Sequence, residues 1–126
     1  MKYKIQKYCP NFKKLRIKFK NKMRHSWIGD WDIRKNQIII DRKLKGVDKI
    51  GVIVHEFIEM MATTMMGIPD CCDKKYKQGI HGEKNALAHN MANRVERRIL
   101  ELGGYSWKAH ERRCKTIRKN EKNKKI

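Results

Sequence analysis

Acidic residues are what this sequence has least of. The 126 residues carry 32 Lys and Arg against 13 Asp and Glu, a formal net charge of +19. The shortage is concentrated at the ends. Residues 1–29 hold ten basic side chains and no acid, and residues 108–126 hold nine against Glu111 and Glu121. So large an excess disfavours cationic partners and favours polyanions, DNA or RNA held through the Lys/Arg-rich ends. A lysine-rich surface is also what proteins of very hot environments carry, and composition weighs the two explanations about equally. The N-terminal segment has no apolar stretch of the kind a secretory signal needs, because lysines interrupt it throughout. No run is apolar enough to cross a membrane: the longest, over residues 50–66, contains His55, Glu56 and Glu59. The expectation is a soluble, intracellular, cytoplasmic protein with no membrane partner.

Other absences narrow the field. The four cysteines, Cys9, Cys71, Cys72 and Cys114, have no zinc-ribbon or zinc-finger spacing. Any disulfides would join the Cys71–Cys72 pair to Cys9 and Cys114, with free buried thiols the slightly favoured alternative. There is no internal repeat, no Gly-rich phosphate loop and no coiled-coil pattern. Length and an apolar share of 40% suit one domain with a modest core, expected over residues 1–119, and a frayed basic tail over 120–126. Oligomeric state leaves no mark in the sequence.

What is present is organised around residues 54–61, which read Val-His-Glu-Phe-Ile-Glu-Met-Met. Asp48 is the expected N-cap of a helix here, Val47 and Val52 fall at the positions of a hydrophobic staple, and Gly67 with Pro69 supplies the stop. Apolar residues surround the helix on most sides, so it is expected to be buried. His55 and Glu59 are four apart and share one face, with Glu56 reaching the same space from the side. A buried carboxylate needs a cation or a proton beside it. Two side chains on one helix can hold a divalent metal, while a second carboxylate serves as general base to the water that the metal activates.

Before this helix, residues 2–8 and 15–20 are expected as strands, the second alternating Leu15, Ile17 and Phe19 with Arg16, Lys18 and Lys20. A third runs from Trp27, turns at Lys35-Asn36, and returns through residues 37–40. The fold class expected is α+β: a small antiparallel sheet of about four strands, two long helices and a short C-terminal helix. A polar loop over 67–82 leads to the second helix, residues 83–102, ended by Gly103-Gly104. Its expected apolar stripe is Ala88, Met91, Ala92, Val95, Ile99 and Leu102, with His89 and Glu96 on its flank. The last helix, residues 105–119, is capped by Ser106 and turns Trp107, Cys114 and Ile117 inward. His25 and His110 are expected to have no catalytic role.

His55, Glu59 and one more histidine would form a ligand set with an open fourth position. His89 is favoured over His81 as that third ligand, and Glu96 is placed either to support His89 or to ligate directly. A metal-free buried polar network of His55, Glu59, His89 and Glu96 is the structural alternative.

Residues 37–41 and the run into Val54-His55-Glu56-Phe57-Ile58-Glu59 resemble the core of small zincin-like metallopeptidases, in the compact archaeal and phage-encoded form with His-Glu-x-x-Glu. Residues 88–96, Ala-His-Asn-Met-Ala-Asn-Arg-Val-Glu, resemble the Ala-His-x-x-Ala-x-x-x-Glu helix that follows in such proteins, and Trp107 matches a later aromatic. The resemblance covers roughly residues 37–107. It implies a zincin-like fold, ligands His55, Glu59 and His89, base Glu56, Glu96 as a further candidate, and a peptide or protein substrate lying along a strand edge within residues 27–41. The cofactor implied is zinc, and Glu59 in place of histidine also suits iron or manganese. Size and a Lys- and Cys-rich composition are similar to small proteins of hyperthermophilic archaeal viruses, which would make the location a host cytoplasm.

Overall fold

The computed structural model describes residues 11–23, 27–33, 35–66 and 79–124. After a single 3₁₀ turn (Phe12–Lys14) come strands β1 (Arg16–Lys20), β2 (Gly29–Asp32) and β3 (Gln37–Asp41), then helices α1 (Gly46–Met65), α2 (Gly79–Leu102) and α3 (Trp107–Lys124). The strand expected over residues 2–8 lies outside the described residues, as do His25, Cys9, Cys71 and Cys72.

The class is α+β, as expected, but the sheet is not four antiparallel strands. Among the described residues it is a mixed, three-stranded sheet in the order β1-β3-β2. β2 and β3 form the expected hairpin, antiparallel, with Trp31 opposite Ile38. Its turn is closed by Asn36 N–H donating to the Ile33 carbonyl at 3.1 Å. Asn36 takes a positive φ of 52°, which asparagine tolerates better than most residues. β1 instead runs parallel to β3, pairing Ile17 with Ile38 and Phe19 with Ile40. The chain leaves β1, crosses to the far side of the sheet, and only then builds the hairpin. Side-chain alternation records which face a residue occupies and nothing about strand direction.

One sheet face carries Trp31, Ile38 and Ile40 against α1, where they join Ile28, Ile33, Leu44, Val52, Met60 and Cys114 in the core. Among the described residues β1 lies at the sheet margin, and Ile17 and Phe19 are exposed although their partners on β3 are fully buried.

Helix α1 starts earlier than the sequence suggests. Lys45 is its N-cap and makes no side-chain capping bond. Asp48 falls in the first turn, and its carboxylate is taken up by α3 instead of the helix end. The C-cap of α1 is Met66, and Gly67 and Pro69, the expected stop, lie outside the described residues. α2 begins at Gly79, so His81 and Gly82 are in its first turns and not in a loop. Its buried face is Ala88, Ala92, Glu96 and Leu100, in steps of four, while Met91, Ile99 and Leu102 of the expected stripe are exposed. The helix is turned toward Glu96, and the two alanines let it lie close on α1. It ends in a Schellman motif: Tyr105 N–H donates to the Leu100 carbonyl, Gly104 N–H to that of Glu101, and Gly104 takes φ 83°. In α3, Ser106 Oγ accepts from Ala109 N–H at 3.2 Å, the expected cap. The helix continues to Lys124, so most of the segment expected to fray is helical. Among the described residues, no helix is long and apolar enough to cross a membrane.

Candidate metal centre

Glu59 is the hub of the site. Its Oε2 lies 3.1 Å from His55 Nε2 and 3.3 Å from His89 Nδ1. Its Oε1 accepts a hydrogen bond from Trp31 Nε1 at 3.1 Å, which fixes the carboxylate so that the other oxygen faces both imidazoles. The two rings meet edge to face, with centroids 4.9 Å apart. One ligand atom from each of His55, Glu59 and His89 lies within 4.8 Å of the others. Bonds of about 2.0–2.1 Å to a tetrahedral ion separate the ligands by roughly 3.3 Å, and the two distances to Glu59 Oε2 are of that size, so these residues could hold a metal ion. His89 is the exposed member, its side chain 53% accessible. His81 lies in α2, with its side chain outside the described part of the chain.

Glu96 is not set behind His89, as its position on α2 suggested. Its Oε1 lies 2.9 Å from His55 Nδ1, and its Oε2 contacts His110 Nε2. Both oxygens are thus committed to support, leaving His55 Nε2 directed at Glu59. A carboxylate behind a ligating imidazole fixes the ring and its tautomer.

Glu56 projects into the same cavity, which holds about 580 Å³ and is walled by Trp27, Trp31 and Trp107, all the tryptophans of the chain. β2 passes directly over it. A Cβ on Gly29 would come within 2.7 Å of both Glu56 Oε1 and Val52 Cγ1, so glycine is what lets the strand and the carboxylate coexist.

His110 is the residue the sequence reading passed over. It is 1% exposed, bound to Glu96 on one side and 2.9 Å from Asp48 on the other. Asp48 is in turn gripped by Arg113 through two hydrogen bonds of 2.6 and 2.8 Å. A usable signal existed. The sequence turns Trp107, Cys114 and Ile117 to the inner face of α3, and His110 is one turn from both Trp107 and Cys114 on that stripe. Cys114 is buried and free, its sulfur 3.8 Å from the His110 ring nitrogens.

Burial and charge pull these groups apart. Burial would lower the His55 pKa, but its bonds to Glu59 and Glu96 prevail and raise it to about 10. Burial would raise Glu59, but bonds from His55, His89 and Trp31 bring it down to about 2. For Glu56, burial and then the Glu59 charge act together and push it well above the usual carboxylate range. Burial would lower His110, yet its contacts with Cys114, Glu96 and Asp48 raise it to about 10.

The metal-free protein should therefore have a bell-shaped stability profile. Glu59, depressed from 4.5 to about 2, stabilises fully above pH 4.5, and that contribution is lost as pH falls through 2. His55 and His110, raised from 6.5 to about 10, stabilise fully below pH 6.5, and their contribution fades as pH rises through 10. Glu56, raised from 4.5, adds to the decline from that pH upward. Denaturant melts of the metal-free protein from pH 3 to 10 should show the maximum in mildly acidic solution; a maximum at or above pH 9 would contradict these assignments.

The chain matches no protein-family model, no curated protein and no solved structure.

Proposed function

We propose that this chain is a metal-dependent hydrolase, most simply a small peptidase, in which His55, Glu59 and His89 hold zinc and Glu56 is the general base. The observation that carries this is the meeting of two imidazoles on one buried carboxylate oxygen, with Glu56 in the same cavity. When bound, a divalent ion supplies polarisation of a scissile carbonyl and lowers the pKa of a water. Two imidazoles and one carboxylate are a donor set zinc accepts, and the carboxylate also suits iron or manganese.

The chain's own residues supply the rest. Glu56, whose pKa burial and the Glu59 charge raise, takes a proton from the attacking water and returns it to the leaving amine. Trp31 and Glu96 hold Glu59 and His55 in place. The cavity beside β2 is roomy enough for a few residues of an extended chain. Fluorescein-labelled casein should be cleaved by the zinc-loaded protein, the cleavage abolished by a chelator and restored by zinc. Cleavage that persists in chelator would sink the metal, and a zinc-loaded protein that cleaves neither casein nor a random peptide library would sink the peptidase.

A second reading, binding of DNA or RNA, has its own support. β1 and α3 expose Arg16, Lys18, Lys20, Lys108, Arg112 and Lys115 to solvent. Affinity for duplex DNA should fall with salt by about 0.9 log units per log unit of salt for each phosphate neutralised. A flat salt response would remove it. The two functions are compatible in a protease acting on nucleic-acid-bound proteins.

A further inference from the structure

We propose that His110 is a positioning residue for His55, acting through Glu96, so that helix α3 completes the metal centre and does not merely cover it. The inference rests on the metal-centre reading above. Its basis is a continuous chain of side chains, Arg113–Asp48–His110–Glu96–His55, that brings α1, α2 and α3 together. Every member but Arg113 is at least nine-tenths buried.

Glu96 divides its two oxygens between two imidazoles. If only His55 held it, one oxygen would be left buried without a donor, and the carboxyl would be free to turn about its last bond. His55 Nδ1 would then lose a fixed acceptor, and Nε2 would lose its aim toward Glu59. His110 prevents this by occupying the second oxygen. Asp48 holds the far side of the His110 ring, and Arg113 holds Asp48 with a bidentate grip. The direction of support runs from the surface inward.

The fold makes room for this ring. Gly51 lies on α1 one turn before His55, and a Cβ there would come within 3.0 Å of His110 Cε1 and 3.2 Å of its Nε2. Helix α1 is therefore notched beneath its own metal-binding residue to admit a histidine from α3. A side chain that only filled space would not need both nitrogens paired with buried carboxylates.

Two substitutions separate positioning from packing. In His110→Gln the amide nitrogen falls where Nε2 was and still donates to Glu96. In His110→Asn the amide falls near Nδ1 and no longer reaches Glu96. Both lose the imidazole, and the full-length chain is used throughout. Zinc affinity, measured by competition with a chelating dye, should fall about 10–100-fold in His110→Asn, the usual cost of losing a supporting partner, and stay near wild type in His110→Gln. In the metal-free protein, the downfield proton resonance of His55 Nδ1–H should persist in the Gln variant and be lost in the Asn variant. Equal zinc affinity in all three proteins would overturn the proposal. So would equal losses in both variants that simply track their melting temperatures. A wild type that binds no zinc would remove the metal-centre reading. The His55 resonance would then still decide whether His110 positions that ring: unchanged in both variants, it overturns the proposal, and lost only in His110→Asn, it upholds it.

Discussion

Glu59→Ala is expected to strip the protein of zinc. Purified without a histidine tag and equilibrated with the ion, wild type should carry about one zinc per chain, as a three-ligand site with an open fourth position does. The variant should carry essentially none, with affinity down by more than the roughly 100-fold that loss of a supporting residue costs. The reason is geometric. One Glu59 oxygen faces both His55 Nε2 and His89 Nδ1, so its removal deletes the only anion of the set and the atom on which the two rings converge. The substitution also leaves Trp31 Nε1 buried without this acceptor, so the fold should lose about 3 kcal/mol, the low end of the cost of breaking a buried charged pair. Glu59→Gln provides the control, because its amide oxygen still accepts from Trp31 while its charge is gone; it should keep the fold and lose the zinc. His89→Ala should weaken zinc with little effect on melting, since that side chain is half exposed. Elemental analysis of these four proteins and of His81→Ala decides the matter. Zinc retained in His89→Ala and lost in His81→Ala would transfer the third ligand to His81. No zinc in wild type, with melting indifferent to chelator, would leave His55, Glu59, His89 and Glu96 as a metal-free polar network.

The parts of this site that lie on one helix were readable from the sequence. Spacing alone puts His55 and Glu59 on one face of α1 and Glu56 beside them, because helical periodicity is a local property. The parts contributed across helices were readable only in outline. Glu96 was noticed for its closeness to His89, yet it turns to His55 and His110. The apolar stripe of α2 predicted a different inward face, because hydrophobicity cannot register that a charged group has two buried imidazoles waiting for it. Asp48 looked like a helix cap, since its type and position fit one, and its actual partners, His110 and Arg113, are more than sixty residues away. Nothing in the sequence ties His110 to this site except the helical stripe it shares with Trp107 and Cys114. β1 was placed correctly along the chain but paired wrongly, because strand direction is set by how the connection crosses the sheet.

Glu56→Gln is the second large effect, and it separates catalysis from architecture. Hydrolysis should fall by about 10²–10⁴-fold, the range for losing a general base. Zinc content should not change, because Glu56 is not among the converging ligand atoms. Stability provides the sharper signature. Burial and the neighbouring Glu59 charge raise the Glu56 pKa, which means that the folded protein disfavours its ionised form. That penalty grows as pH rises above 4.5, and a neutral isostere escapes it. The metal-free Gln variant should therefore melt higher than wild type at pH 7, with the gap closing toward pH 4. A carboxylate kept only as part of the scaffold would give the opposite result, since removing its charge would cost the fold. A residue that weakens the fold while activity depends on it has been retained for chemistry, at a stability cost that functional sites commonly carry. A Gln variant that is inactive and also less stable than wild type at pH 7 would remove that distinction and return Glu56 to the scaffold.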